Sequence, residues 1–338
     1  MGNAGTDRSS RRLGDKAMWI KRLAILGIAG VLAGTPQLGW SQAKVATTGY
    51  QFLEIGVGAR AMGMGEAFIA VVDDASAVYY NPAGLTGLPG TQVTLDYVQY
   101  VADINYAFAG IAFPAGRLGG YWGVGLYVLD AGDILKTTYA DPYGEAGETF
   151  GAQDFAASLS YGRHLTDRFS IGGTVKYITE RLEETRSTVW AADIGTSYNT
   201  GFRGFTISMV ITNFGPDGQV QYKDAEGFQG DDTPLPINFK FGAAIRMLDG
   251  GVHRAILSAE GSHPADNLEK YQGGVEYWFN DLLALRVGAK FNYDVGGLTA
   301  GFGVRIPWGE ERDLRFDYGY QEFGILGTPH RYSLTITL

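Results

Sequence analysis

The sequence contains no cysteine. That excludes a disulfide framework, a thiolate nucleophile and a Cys-ligated metal site at the outset. Charge is sparse as well: 19% of the 338 residues are Asp, Glu, Lys or Arg, and the formal net charge is −9. A chain with a sequence pI near 5.0 is no general nucleic-acid binder. Disorder needs low hydrophobicity together with high charge, and a 45% hydrophobic content removes that combination. Histidine is scarce: His164, His253, His263 and His330 are scattered without metal-type spacing, so loop or turn positions are expected. Long apolar runs are missing except near the N-terminus. Glycine is abundant instead, at 50 residues, roughly twice the usual ~7%, alongside 20 Tyr and 18 Phe.

The exception is a targeting segment. Arg8, Arg11, Arg12, Lys16, Lys21 and Arg22 precede an apolar stretch, Leu23–Gly34, and small Ser41 and Ala43 sit at −3 and −1 of a cleavage site. This is the pattern of a secretory signal peptide over residues 1–43. The apolar run falls short of the ~20 residues a membrane anchor needs. Met18 also begins a complete signal. Without residues 1–43 the chain would carry 21 basic against 34 acidic residues.

From about residue 91 onward, apolar and polar residues alternate with period two, the mark of half-buried strands. Leu283, Leu285, Val287, Ala289 and Phe291 share one face, and Arg286, Gly288, Lys290 and Asn292 share the other. The stretches 298–306, 314–320, 332–338 and 237–246 repeat the pattern. Fourteen segments are expected: 91–101, 104–113, 120–129, 153–163, 168–180, 189–199, 204–212, 236–247, 252–261, 270–279, 282–292, 297–306, 312–321 and 331–338. Most are nine to eleven residues, the length a tilted strand needs to cross a bilayer. Short turns alternate with longer loops rich in Asp, Glu, Gly and Pro, which is the rule for outer-membrane barrels. The fold expected is all-β: a 14-stranded antiparallel transmembrane β-barrel over 91–338, with both termini on the periplasmic side. Its apolar face would meet outer-membrane lipid. The terminal residue is Leu, where barrels read by the assembly machinery commonly end on an aromatic one.

Residues 44–90 do not alternate. Gly58–Leu85 reads as short helical or irregular pieces, with Asp74 capping one turn and Asn81-Pro82 starting another. A Gly-rich segment this short is no independent domain, so it is expected as a hatch plugging the lumen. The stretches GARAMGMGEAF and YYNPAGL resemble the PorV/PorQ family, whose members are similar to FadL-type outer-membrane transporters. Asn81, Pro82 and Ala83 match the hatch motif of that group. The resemblance implies one of two roles in the bacterial outer membrane. One is passage of hydrophobic small molecules such as long-chain fatty acids. The other is type IX secretion, with secreted protein cargo as partner. It also implies a lateral opening in the third strand, where Gly123 and Gly125 crowd one face. Packing space for the hatch explains the same glycines equally well.

On the face assigned to the lumen lie Lys176, Glu180, Lys240, Arg246, Arg254, Glu260, Glu276, Arg286, Lys290, Arg305, Arg315 and Asp317. Both signs alternate, so a cross-strand charge lattice is expected rather than an anion-binding patch. GVGARA (Gly56–Ala61) matches a dinucleotide fingerprint but lacks the βαβ context, and a tight turn is expected. The pairs Asp73-Asp74 and Asp231-Asp232 read as loop caps, not cation sites. No cofactor, metal or catalysis is expected. There is no G-x-S-x-G elbow, and no Ser–His pair is brought together by the sequence.

Overall fold

The computed structural model describes residues 47–222, 229–309 and 311–338. Residues 1–43, read above as a signal peptide, lie outside the described residues. The strands in chain order are β1 (Gln92–Gln99), β2 (Asn105–Pro114), β3 (Tyr121–Leu135), β4 (Thr149–Thr166), β5 (Phe169–Leu182), β6 (Thr185–Asn199) and β7 (Thr206–Phe214). There follow β8 (Gly218–Tyr222), β9 (Gln229–Thr233), β10 (Asn238–Gly250), β11 (His253–Pro264), β12 (Lys270–Phe279), β13 (Leu283–Phe291), β14 (Leu298–Pro307), β15 (Asp313–Gln321) and β16 (His330–Thr337).

Fourteen of these, β1–β7 and β10–β16, pair antiparallel with their neighbours around a ring. β1 pairs with β16 from Gln92↔Thr337 to Gln99↔His330, which closes the barrel. Closure leaves no free sheet edge, the condition for strands in a bilayer. The remaining two strands, β8 and β9, form a hairpin that extends the long-loop end of β6. The sequence pattern places that stretch in an irregular loop, because five-residue strands leave too short an alternation to read. β3 and β4 also run past the nine-to-eleven-residue expectation, to 15 and 18 residues.

Burial follows the alternation. Leu285 and Val287 are 62% and 59% exposed, whereas Arg286 between them is 2% exposed. The apolar side therefore faces out on every barrel wall where the sequence showed it, and the charged side faces in. That is the inverse of a soluble protein and the pattern of a lipid-facing barrel.

Candidate functional site: a chamber above an anchored hatch

The segment from Tyr50 to Leu88 is almost wholly buried and forms the centre of the apolar core. It lies within the ring of strands, held by two different walls. The first wall is β12–β15. The turn Ala59–Gly63 lies so close to it that a Cβ on Gly301 would sit 3.1 Å from the Gly63 Cα, and one on Gly319 would sit 2.8 Å from the Ala59 carbonyl. At this wall, charges close a ring between hatch and strands. Arg60 Nε donates to Glu276 Oε2 at 2.8 Å, and Arg286 Nε donates to the same oxygen at 2.7 Å. Arg286 reaches Asp317 at 2.8 Å, and Arg315 bridges Asp317 at 2.8 Å and Asp74 at 2.7 Å. Asp74 returns to Arg60 at 3.3 Å. Three guanidiniums thus alternate with three carboxylates, and each buried charge has two opposite neighbours. Burial alone would raise the Asp74 carboxyl, but Arg315 and Arg60 outweigh it and bring it down to about 2. Asp74 also accepts from the Ser76 amide at 3.0 Å, the turn-capping role read from the sequence.

The second wall is β4–β6. Gly162, Gly172 and Gly195 are direct cross-strand partners, a row without side chains. The Asn81-Pro82-Ala83 turn rests on this row. A Cβ on Gly172 would sit 2.4 Å from the Pro82 carbonyl carbon, and one on Gly195 would sit 2.1 Å from Asn81 Oδ1. Asn81 Oδ1 accepts from the Ala83 amide at 3.1 Å, while its Nδ2 donates to the carbonyls of Ile69 at 3.1 Å and Thr196 at 3.2 Å. One side chain therefore caps a turn, ties it to a second hatch loop and ties both to the wall.

Between these walls, Glu260 accepts from the amides of Phe68 and Ile69 at 2.9 and 3.1 Å and from Gln272 at 2.9 Å. Lys290 pairs with hatch residue Glu66 at 2.6 Å. Burial raises the Glu66 carboxyl, and Lys290 more than offsets it, so the group stays below its ordinary value. Lys176 pairs with Asp193 at 2.8 Å, a bond within the wall.

Of the lumen-face charges read from the sequence, Glu260, Glu276, Arg286, Lys290, Arg315 and Asp317 therefore contact the hatch or its immediate partners. Lys240 is half-buried and lines the narrow space described below. Arg246, Arg254 and Arg305 lie apart at the short-turn rim, where they pair with Asp249, Asp281 and Asp313. Glu180 and Asp154 face each other across the β4–β5 ladder at the edge of the chamber. Sequence reading missed Arg60 and Asp74 as partners of the lattice. Their only signals were a false dinucleotide match and an acidic pair, and neither says which wall the segment will meet.

Gly123 and Gly125 face the lumen. A Cβ on Gly123 would meet Val78 at 2.4 Å and Leu85 at 3.3 Å. The ladder is continuous there on both sides, Gly123 pairing with Ala112 and Ser160. The irregularity in this strand comes later, between Asp130 and Asp133. The structure also brings one Ser–His pair together, Ser170 Oγ and His164 Nδ1 at 2.9 Å. Ser170 is buried beneath Thr86, and among the described residues no carboxylate contacts the imidazole.

Over the hatch, at the long-loop end, lies a chamber of about 580 Å³. Phe52, Ile55, Met62, Leu129, Val295 and Phe323 supply its apolar surface, and Glu54, Lys270 and Arg331 are among its charges. It continues into a narrow polar space of about 60 Å³ that shares Glu54, Glu66, Lys270 and Tyr293. A third space, about 280 Å³, lies under the hatch at the short-turn end.

No protein-family model matches the chain, and no curated protein does. Solved structures do. The toluene transporter TbuX of Ralstonia pickettii superposes with a TM-score of 0.55 at 14% identity, over 83% of this chain and 97% of that one. The toluene transporter TodX of Pseudomonas putida gives 0.53 at 11%, over 83% and 96%. A FadL homologue of Pseudomonas aeruginosa gives 0.51 at 11%, over 83% and 97%. The chain has the FadL-type barrel fold. These similar structures are named as transporters and a FadL homologue, not as enzymes.

Proposed function

We propose that the chain is exported to the bacterial outer membrane, where it admits hydrophobic small molecules into the chamber above the hatch. The observation that carries this reading is the chamber: about 580 Å³, lined by Phe52, Ile55, Met62, Leu129, Val295 and Phe323, at the long-loop end of a FadL-type barrel. Small-molecule pockets of about 300–1,000 Å³ combine apolar lining with polar groups that orient the ligand, and an apolar cavity of about 150 Å³ already holds benzene. A monoaromatic hydrocarbon or one end of a fatty chain would fit. The likeness to structures named as toluene transporters supports the same class of solute. Sideways exit at Gly123 and Gly125 belongs to the same proposal. It would require Val78 and Leu85 to withdraw, so the exit would be coupled to hatch movement.

The test is uptake of labelled toluene and oleate by cells or proteoliposomes carrying the protein. Phe52→Arg is expected to lower uptake of one or both while heat-modifiable gel migration stays that of a folded barrel. Gly123→Val with Gly125→Val is expected to slow uptake if solute leaves by that wall. Uptake equal to protein-free controls, with secreted protein recovered on the barrel, would replace this reading with the PorV-like secretion role.

A further inference from the structure

The polar space beneath the chamber and the space under the hatch run along the same wall, β7, β10 and β11. On the lumen face of β10, Lys240 lines the upper space and Ala244 the lower, with only Gly242 between them. Four residues of strand span about 13 Å. On β11 the lining residues are Ser262 above, opposite Lys240, and Ile256 below, opposite Arg246. On β10 a single tier, Gly242 with its ladder partners Ser208 and Glu260, separates the two spaces, and on β7 and β11 one further lumen-facing residue each, Val210 and Ser258, lies in the gap.

What fills that tier comes from the hatch. A Cβ on Gly242 would sit 2.7 Å from Ile69 Cγ1, so the Ile69 side chain occupies the place a wall side chain would take. Ile69 is buried, and its amide is held by Glu260. The upper space is polar: Lys176, Thr212, Asn213, Lys240, Ser262 and Gln272 line it. One more of its lining groups, Asn238 Oδ1, is buried with no hydrogen-bond partner. Buried polar atoms of this kind are satisfied by water or a polar solute. A greasy solute has no reason to leave the chamber for such a space, because it would strip these groups of water.

We propose that the barrel contains a second, hydrophilic path, distinct from the one for hydrophobic solutes, that carries ions and small polar molecules past the hatch along β7, β10 and β11, and that Ile69 on Gly242 is its gate. An apolar side chain in a narrow polar passage blocks flow by excluding water as much as by bulk. The path does not depend on which hydrophobic solute the chamber takes.

The experiment is single-channel recording of the purified full barrel in a planar lipid bilayer with potassium chloride. Ile69→Gly is expected to raise conductance roughly tenfold over the parent protein, by removing the apolar constriction. Val57→Gly, which removes a buried hatch side chain that lines none of the three spaces, is expected to leave conductance at the parent level. Because the chain has no other thiol, Ile69→Cys gives a second test with a smaller loss of side chain than Ile69→Gly. A small charged methanethiosulfonate added from the long-loop side is expected to modify Cys at this position and reduce the current. Parent-level conductance in folded Ile69→Gly, or an equal rise in Val57→Gly, overturns the proposal. If Ile69→Gly does not fold, an unreactive thiol in folded Ile69→Cys overturns it instead. Hydrophobic uptake measured on the same variants reports separately on the chamber.

Discussion

Along β12–β15 the hatch meets the barrel through a ring of charges as well as through close-approach glycines, whereas along β4–β6 a row of glycines seats it and, among the described residues, no ion pair joins it to the wall. The first wall places Arg60 and Asp74 into a ring with Glu276, Arg286, Arg315 and Asp317. The second lets Pro82 lie against Gly162 and Gly172, closer than any Cβ would allow. The two attachments fail differently. A buried ion pair gains little over an apolar pair of the same shape but is costly to break by halves. A glycine seat contributes no interaction of its own, and its value is that nothing stands in the way. The charge wall therefore fixes the identity of its partners, while the glycine wall fixes only their shape.

The sharpest way to break the charge wall is Glu276→Ala. Arg60 and Arg286 would lose a shared carboxylate inside the barrel, at a cost of about 3–5 kcal/mol. Thermal unfolding followed by gel migration should show it as the largest loss in this set. Acid offers a gentler route to the same wall. The Asp74 carboxyl titrates at about 2 in the folded protein, below its unfolded value of about 3.9. Its contribution, about 2–3 kcal/mol, is thus fully present above pH 4 and is lost as pH falls through 2. Asp74→Asn should flatten that acid limb while lowering stability at neutral pH.

On the glycine wall, Gly172→Val should cost about 1–3 kcal/mol through overpacking against the Pro82 backbone. The damage should be local: limited proteolysis should cut within residues 50–90 while the strands keep their barrel migration. If cleavage instead appears first in the strands, the seat matters to the wall and not to the hatch. The smallest effect is expected for Asn81→Leu, about 1–2 kcal/mol for a lost cap and its wall hydrogen bonds. Function per folded molecule should fall more than the folded fraction does. A fall in the folded fraction alone would mark Asn81 as a structural residue only.

The strands were legible because the alternation is long and the inner and outer faces differ so strongly. Residues 270–279 and 312–321, for example, needed no more than the pattern of Tyr271, Val275, Tyr277 and Phe279, or Leu314, Phe316, Tyr318 and Tyr320, against Gln272, Gly274 and Glu276, or Arg315, Asp317 and Gly319. The hairpin β8–β9 was not legible, because five residues pairing beyond the barrel leave no sustained period. In the hatch, Asn81-Pro82 announced its turn by local chemistry, which capping rules capture. The destination of Arg60 could not be read the same way. Its partner Glu276 is 216 residues away, and no local rule links a residue in a Gly-rich turn to a carboxylate on the twelfth strand. The row Gly162, Gly172 and Gly195 was invisible for the same reason: its meaning lies in register across three strands.

The seam between the first and last strands has a consequence for timing. Gln92 and Thr337 are 245 residues apart, so pairing β1 with β16 is the most distant contact of the ring. That seam is also where the hatch is stitched in. The Ala59 amide donates to Ser333 Oγ at 2.6 Å, Ser333 donates to Asp96 at 2.6 Å, and Arg331 donates to the Gly56 carbonyl beside Asp96. Joining ends so far apart is slow, and here the two edges carry buried polar groups whose partners come from the segment inside. Closing the seam and seating the hatch are therefore coupled, because without the hatch Ser333 would lose the Ala59 amide and Arg331 the Gly56 carbonyl.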